Sequence, residues 1–172
     1  ATAAELVYRG YTPALAGTDA AELANEQASA AQTVRFKFDP AGQPYYILRV
    51  TSQDQKAVLT IRGDMKVANQ IFLDRDGLGE SGETFLVDDK GYFLTPPRYA
   101  RPGVQTRPIN GEALRTCLAG KDGEILAEGY RGVPVIHGFR FVPEVGGACV
   151  MTLIDQAEAF APTRRIAREV AG

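Results

Sequence analysis

Tryptophan is absent from this sequence, histidine occurs once, and there are only two cysteines. The lone His137 would have to carry any triad or metal–histidine site by itself, which removes most hydrolase and zinc chemistry. Cys117 and Cys149 lie in no metal-like spacing; both fall in apolar surroundings, so buried free thiols are the expected state. A Cys117–Cys149 disulfide is the alternative, one whose geometry a sequence does not test. No apolar run approaches the roughly 20 residues that cross a bilayer. Charge of one sign is also lacking: 19 Lys and Arg stand against 21 Asp and Glu, a net of -2, so no nucleic-acid partner is expected. The chain opens at Ala1 with no leader-like segment, and a mature or excised piece of a longer protein is the expectation.

What is present suffices for a core. Hydrophobic residues make up 45% of 172, enough for roughly one domain or one and a half small ones. Three segments are expected: 1–65, 66–160 and 161–172. In the first, Asp19 and Glu22 are spaced as a capping box before a helix over 20–31, after a loop around 10–17. The period then changes. Val34, Phe36 and Phe38 alternate with Arg35 and Lys37, as on a half-buried strand. A turn at 39–42 and strands over 45–51 and 56–62 complete a three-stranded meander.

The second segment begins with a helix over 66–74 expected to bury Val67, Ile71 and Phe72. Strands over 84–87 and 92–95 flank a hairpin turn at 88–91, and Pro96 and Pro97 stop the second. After a loop over 98–108, Asn110 is placed to cap a helix over 111–119 closed by Gly120. Strands over 123–130, 133–142 and 148–154 follow. Asp155 and Glu158 have capping-box spacing for a C-terminal helix that Pro162 kinks or restarts. The fold class is α+β, with a five-stranded antiparallel sheet and flanking helices.

Within this order sits GLGESGETFLVDDKGYFLT, 77–95. Gly77, Gly79 and Gly82 match a dinucleotide-binding G-x-G-x-x-G, but that turn needs a strand before it and a helix after it. Here a helix enters and a strand leaves. Ser81 lacks the last glycine of a nucleophile elbow, because Glu83 occupies that place. A calcium loop starting at Asp74 fails at Leu78 and at Phe85, where a bidentate glutamate is required. The glycines therefore read as a sharp turn into the sheet.

Several residues remain as binding candidates. His137 shares a strand face with Val135 and Phe139, where a satisfied, half-buried histidine is the plain reading and ligand contact the alternative. Asp155 reads better as a helix cap than as a catalytic acid. Arg98, Arg101 and Arg107 are a solvated loop by default, or converge on an anion, since guanidinium forks match carboxylates and phosphates. Tyr92, Tyr99 and Tyr130 are walls of the same cavity or ordinary core edges.

GLGESGETFLVDDKGYFLT together with YRGVPVIHGFRFVPEVGGACVMTLIDQAEAFAP resembles the Cache (PAS-like) extracytoplasmic sensor domains of bacterial histidine kinases, diguanylate cyclases and chemoreceptors. The resemblance covers about 66–162. VRFKFDPAGQPYYILRV and KAVLTIRGD look like the closing strands of a partial, membrane-distal second lobe. The resemblance implies a periplasmic, non-enzymatic sensor without a cofactor. It implies a homodimeric receptor whose last helix continues into a membrane span outside this chain. The distal amino-acid-binding pattern of the family includes a tryptophan, so it cannot be mapped onto this sequence. The expected ligand is a carboxylate or an amino acid, met by Arg98, Tyr99, Arg101, Arg107, Tyr130, His137 and Phe139. The alternative is a spacer or dimerisation lobe with no ligand of its own.

Overall fold

The computed structural model describes residues 2–4, 32–51, 57–99 and 107–170. The expected helix over 20–31, and Arg101, lie outside the described residues. The chain divides into two compact units, Ala1–Met65 with Glu144–Gly146, and Lys66–Pro143 with Gly147–Gly172.

The first unit is built on β1 (Thr2–Ala4), β2 (Gln32–Phe38), β3 (Pro44–Thr51) and β4 (Ala57–Asp64), in the order β1-β4-β3-β2. β2, β3 and β4 form the antiparallel meander, and β1 adds to β4 in parallel. The β2–β3 turn is set by Asp39, whose carboxylate accepts the N–H groups of Ala41 at 2.9 Å and Gln43 at 2.8 Å. Gly42 supplies the positive φ that closes it. Gly63 faces Tyr46 across the β3–β4 ladder, and a Cβ there would sit 2.1 Å from the tyrosine ring. Only glycine lets the ring lie over that strand. Ile47 is the buried apolar residue of β3.

The second unit holds α1 (Lys66–Leu73), β5 (Glu83–Val87), α2 (Glu112–Leu118), β6 (Gly123–Glu128), β7 (Pro134–Val142), β8 (Ala148–Asp155), α3 (Gln156–Ala159) and α4 (Ala161–Val170). Its sheet runs β5-β8-β7-β6, antiparallel throughout. The chain order through the glycines is as expected: α1 enters and β5 leaves. Phe85, Val87, Val135, Phe139, Cys149, Met151 and Leu153 point from the sheet onto Leu114 and Cys117 of α2 and make the core. Among the described residues, no helix is long and apolar enough to cross a membrane.

Four local expectations change. The sheet has four strands and not five, because 92–95 makes only one bridge, Phe93 to Val87. The Thr95 hydroxyl accepts the Leu86 N–H at 2.8 Å, taking the place of a main-chain acceptor, and Pro96 and Pro97 supply no N–H to continue. α1 buries none of its residues: Val67 is 70% and Ile71 67% exposed. Periodicity gives a helix its apolar face but not the element that covers it. α2 starts at Glu112 with Gly111 as its N-cap and no side-chain cap, while the Asn110 carbonyl accepts Arg115 Nη1 at 2.5 Å.

The fourth concerns the end of β8. Asp155 caps nothing through its side chain. It pairs with Arg131 instead. Glu158 reaches back 77 residues or more, accepting the main-chain N–H of Glu80 at 2.8 Å and of Ser81 at 2.7 Å, and also the Ser81 hydroxyl. The Ser81 oxygen in turn accepts the Asp155 N–H at 3.0 Å. The glycine turn is thus a cradle for a carboxylate of its own chain. A Cβ at Gly79 would stand 2.3 Å from Glu158 Oε1, and Gly79 has φ 69°. These donors hold the Glu158 pKa below the ordinary value, the Ser81 hydroxyl first. Pro162 restarts the helix, since α3 ends before Phe160 and α4 begins at Ala161.

Cys117 and Cys149 are bonded, not free. Both are fully buried, and their Cα atoms lie 6.2 Å apart, within bridging range. The bond staples the last turn of α2 to β8. It closes a loop of 32 residues, worth about 3–4 kcal/mol by the chain-entropy relation.

Candidate functional site

Between α2 and the sheet of the second unit lies a cavity of about 590 Å³. The sheet contributes Phe85 of β5, His137 of β7, and Met151 and Leu153 of β8. Ala113 and Leu114 of α2, the approach 107–111, Glu128 at the end of β6, and Gly129 and Tyr130 after it form the rest. The alternation of β7 places Val135, His137 and Phe139 inward, as the sequence predicts. A cross-sheet row runs Ile125, His137, Leu153, Glu83.

His137 is 7% exposed. Its Nε2 lies 3.3 Å from the Glu128 carbonyl oxygen. Its Nδ1 is buried without a hydrogen-bond partner. Burial pushes the imidazole pKa down, partly opposed by the Glu128 carbonyl, so the ring is held neutral.

Glu83, at the other end of the row, is 2% exposed. The Tyr130 hydroxyl lies 2.9 Å from each of its carboxylate oxygens. The Arg98 N–H donates to Oε2 at 2.9 Å, and Arg131 Nε stands 4.0 Å from Oε1. Burial raises the Glu83 pKa; Tyr130, Arg98 and Arg131 pull it back. Burial, then the negative carboxylate, pushes the Tyr130 phenol well up, so it stays a donor. The Arg131 and Arg98 guanidiniums sit 4.3 Å and 4.8 Å from the centroid of the Tyr99 ring. Arg98 Nη1 also donates to the Gly82 carbonyl at 3.1 Å, and the Tyr99 hydroxyl to that of Glu80 at 3.3 Å.

The predicted residues thus divide. Arg107, Tyr130 and His137 line the cavity. Arg98 and Tyr99 gather with Tyr130 around Glu83 and tie the glycine turn to the sheet. Phe139 lies in the core and outside the cavity lining. Glu83 and Arg131 escaped the sequence reading. One signal was there: Glu83 shares strand parity with Phe85 and Val87, so a carboxylate on the inner face was readable. Among the described residues, no cluster of His, Cys, Asp or Glu could hold a metal ion.

No family model and no curated protein matches this chain. Solved structures do. The extracellular domain of mmHK1S-Z3, a proposed histidine kinase, aligns at TM-score 0.57 and 15% identity over 76% of this chain and 51% of its own. The periplasmic sensory domain of the Campylobacter jejuni chemoreceptor Tlp1 aligns at TM-score 0.54 and 14% identity over 82% of this chain and 59% of its own.

The chain has the fold of Cache-type extracytoplasmic sensor domains.

The ligand-binding domain of Mlp24, solved with asparagine, shares this Cache-type fold at TM-score 0.52 and 15% identity, over 89% of this chain and 63% of its own. The chain therefore spans between about half and three fifths of these Cache-type sensors.

Proposed function

We propose that this chain is the extracytoplasmic ligand-sensing part of a bacterial transmembrane receptor, with a histidine kinase, diguanylate cyclase or chemoreceptor output. The observation that carries the reading is the cavity of about 590 Å³ in the second unit, floored by Met151 and Leu153 and edged by Arg107, Tyr130 and His137. Its size and mixed lining suit a small molecule. Arg107 favours a carboxylate, and an amino acid or small organic acid follows. The buried disulfide supports an oxidising compartment such as the periplasm. No catalytic or cofactor role is assigned.

The 66–160 segment is the sensor lobe, 1–65 a partial distal lobe, and 161–172 the start of the path to the membrane. Signalling runs through β8. A ligand between α2 and the sheet bears on Met151 and Leu153, and β8 passes directly into α3 and α4. The junction has two ties that can hold or slip: Glu158 in the glycine cradle, and Arg131 on Asp155. A ligand shifts their balance only if it binds one arrangement better than the other.

The test is a thermal-shift screen over amino acids and small organic acids. A true ligand at a hundredfold its Kd stabilises by about 2.7 kcal/mol, several degrees in Tm. The reading fails if no compound exceeds replicate scatter, or if a hit is unaffected by Ala113→Phe, which fills the cavity.

A second reading, a lobe that pairs with a second copy and holds no small molecule, draws on one observation. α1 leaves Val67, Ile71 and Leu73 at the surface. Sedimentation across concentrations separates the two: a tight dimer indifferent to every screened compound supports the second.

A further inference from the structure

Tyr130 and Arg131 are the two central residues of the turn between β6 and β7. The turn is closed twice: the Gly132 N–H donates to the Gly129 carbonyl at 2.9 Å, and the Gly129 N–H donates to the Val133 carbonyl at 2.9 Å. Gly132, at φ 75°, lets the chain return into β7. So short a hydrogen-bonded loop moves its two side chains together, yet they face different things. Tyr130 lines the cavity and gives its hydroxyl to Glu83. Arg131 is not part of the cavity lining; its Nη2 binds Asp155, and its Nε stands 4.0 Å from Glu83. Asp155 is the last residue of β8, directly before α3, and its side chain makes no capping bond to that helix. One turn thus touches the cavity with one residue and the root of α3 with the next.

We propose that the 129–133 turn is a lever between the cavity and α3, with Arg131 as the positioning residue that holds Asp155 at the start of that helix. Its input is the cavity, so this rests on the ligand-site reading above. Its output is a second route beside β8, because Arg131 reaches Asp155 through side chains alone. Glu83 is the pivot: it is 2% exposed, fixed in the β5–β8 ladder, and met by both residues of the turn. A molecule pressed against the Tyr130 ring displaces the turn, and Arg131 goes with it. The guanidinium then gains on one carboxylate at the expense of the other, Glu83 in the sheet or Asp155 at the helix. Coupling carried this way needs contiguous contacts, and each link from Tyr130 to Asp155 is a covalent bond, a hydrogen bond or an ion pair. A rival path leaves Glu83 through Arg98, whose N–H donates to Glu83 and whose Nη1 holds the Gly82 carbonyl of the glycine turn.

Amide spectra of the 15N-labelled chain test the route, first without any ligand. Tyr130→Phe keeps the aromatic ring but frees it from Glu83, and it should shift the amides of Gln156–Ala159. In an Arg131→Gln background the same substitution should leave those amides unmoved, as in any cycle where the connecting residue is gone. Asp155→Asn cuts the same contact from the other side and should do likewise, which keeps the test open if Arg131→Gln folds poorly. Alanine, lactate, propionate, leucine and 4-methylpentanoate then serve as ligand probes. Any that binds should shift the α3 amides of the wild type and leave them unmoved in Arg131→Gln while still binding. Amides of α3 indifferent to Tyr130→Phe, or shifted equally with and without Arg131, overturn the lever while leaving the cavity a ligand site; the second result assigns the coupling to Arg98. A bound probe that moves α3 equally in both backgrounds, or in neither, overturns it too. If no probe binds, the ligand-site reading falls, and the lever loses its input and falls with it.

Discussion

Tyr130→Phe tests how the inner carboxylate is held. The substitution removes one hydroxyl and keeps the ring, so the edge-on contacts with Phe85 at 5.8 Å and Phe93 at 5.5 Å survive. What is lost is the donor placed 2.9 Å from both oxygens of Glu83. The Arg98 N–H stays, and Arg131 is too distant at 4.0 Å to replace a hydrogen bond. A hydrogen bond to a buried charge is worth about 1.5–3 kcal/mol, which moves the urea midpoint down by roughly 1 M. The pH dependence follows from sign. Burial already holds Glu83 above its ordinary 4.5, and removing the phenol raises it further. A raised folded-state pKa gives stability that is complete below the unfolded value and is lost as pH rises through the folded value. The variant should therefore fall further behind wild type at pH 7 than at pH 4, where Glu83 is protonated and the loss is about 1 kcal/mol. Urea unfolding by far-UV circular dichroism at both pH values measures it. A penalty below about 0.5 kcal/mol at pH 7, or one equal at both pH values, refutes the reasoning.

Other outcomes follow from the same geometry. Replacing Cys117 and Cys149 together by alanine should cost at least about 3 kcal/mol, and the oxidised wild type should show no free thiol by mass; a loss under about 1 kcal/mol contradicts the staple. Glu158→Gln should flatten acid unfolding: the depressed Glu158 pKa gives stability present above 4.5 and lost as pH falls through the folded value, a slope the variant lacks. Identical acid titrations would remove Glu158 from the cradle. Gly63→Ala should destabilise the first unit by about 1–2 kcal/mol, because its Cβ would meet the Tyr46 ring at 2.1 Å; an unchanged melting curve would mean that the ring is not seated there.

The parts of the fold legible in the sequence were those set by local chemistry. The two-residue period of β7 put His137 on the inner face, the Asp39 carboxylate and Gly42 set the β2–β3 turn, and chain order showed that the glycines precede a strand. What stayed hidden depended on distant partners. Glu158 is spaced like a capping residue, yet its oxygens go to Glu80 and Ser81, which no local pattern names. The pairing of the two cysteines stood only as the alternative to free thiols, because nothing local fixes the depth of α2 over β8. Thr95 looked like a strand residue, but its hydroxyl took the ladder position that its backbone would have filled. The arginines were read as one group because they share a loop, while the fold sends Arg98 to Glu83 and Arg107 to the cavity.

The bond between Cys117 and Cys149 decides how the cavity roof can move. It fastens the far end of α2, five residues from Glu112 at the start of the helix, or about 7–8 Å at 1.5 Å per residue. The helix is anchored at that sulfur pair, and its start at Gly111 and Glu112 is the end that the bond restrains least. Cys149 lies on β8, which passes directly into α3, so the bond ties the helix over the cavity to that strand by a covalent link.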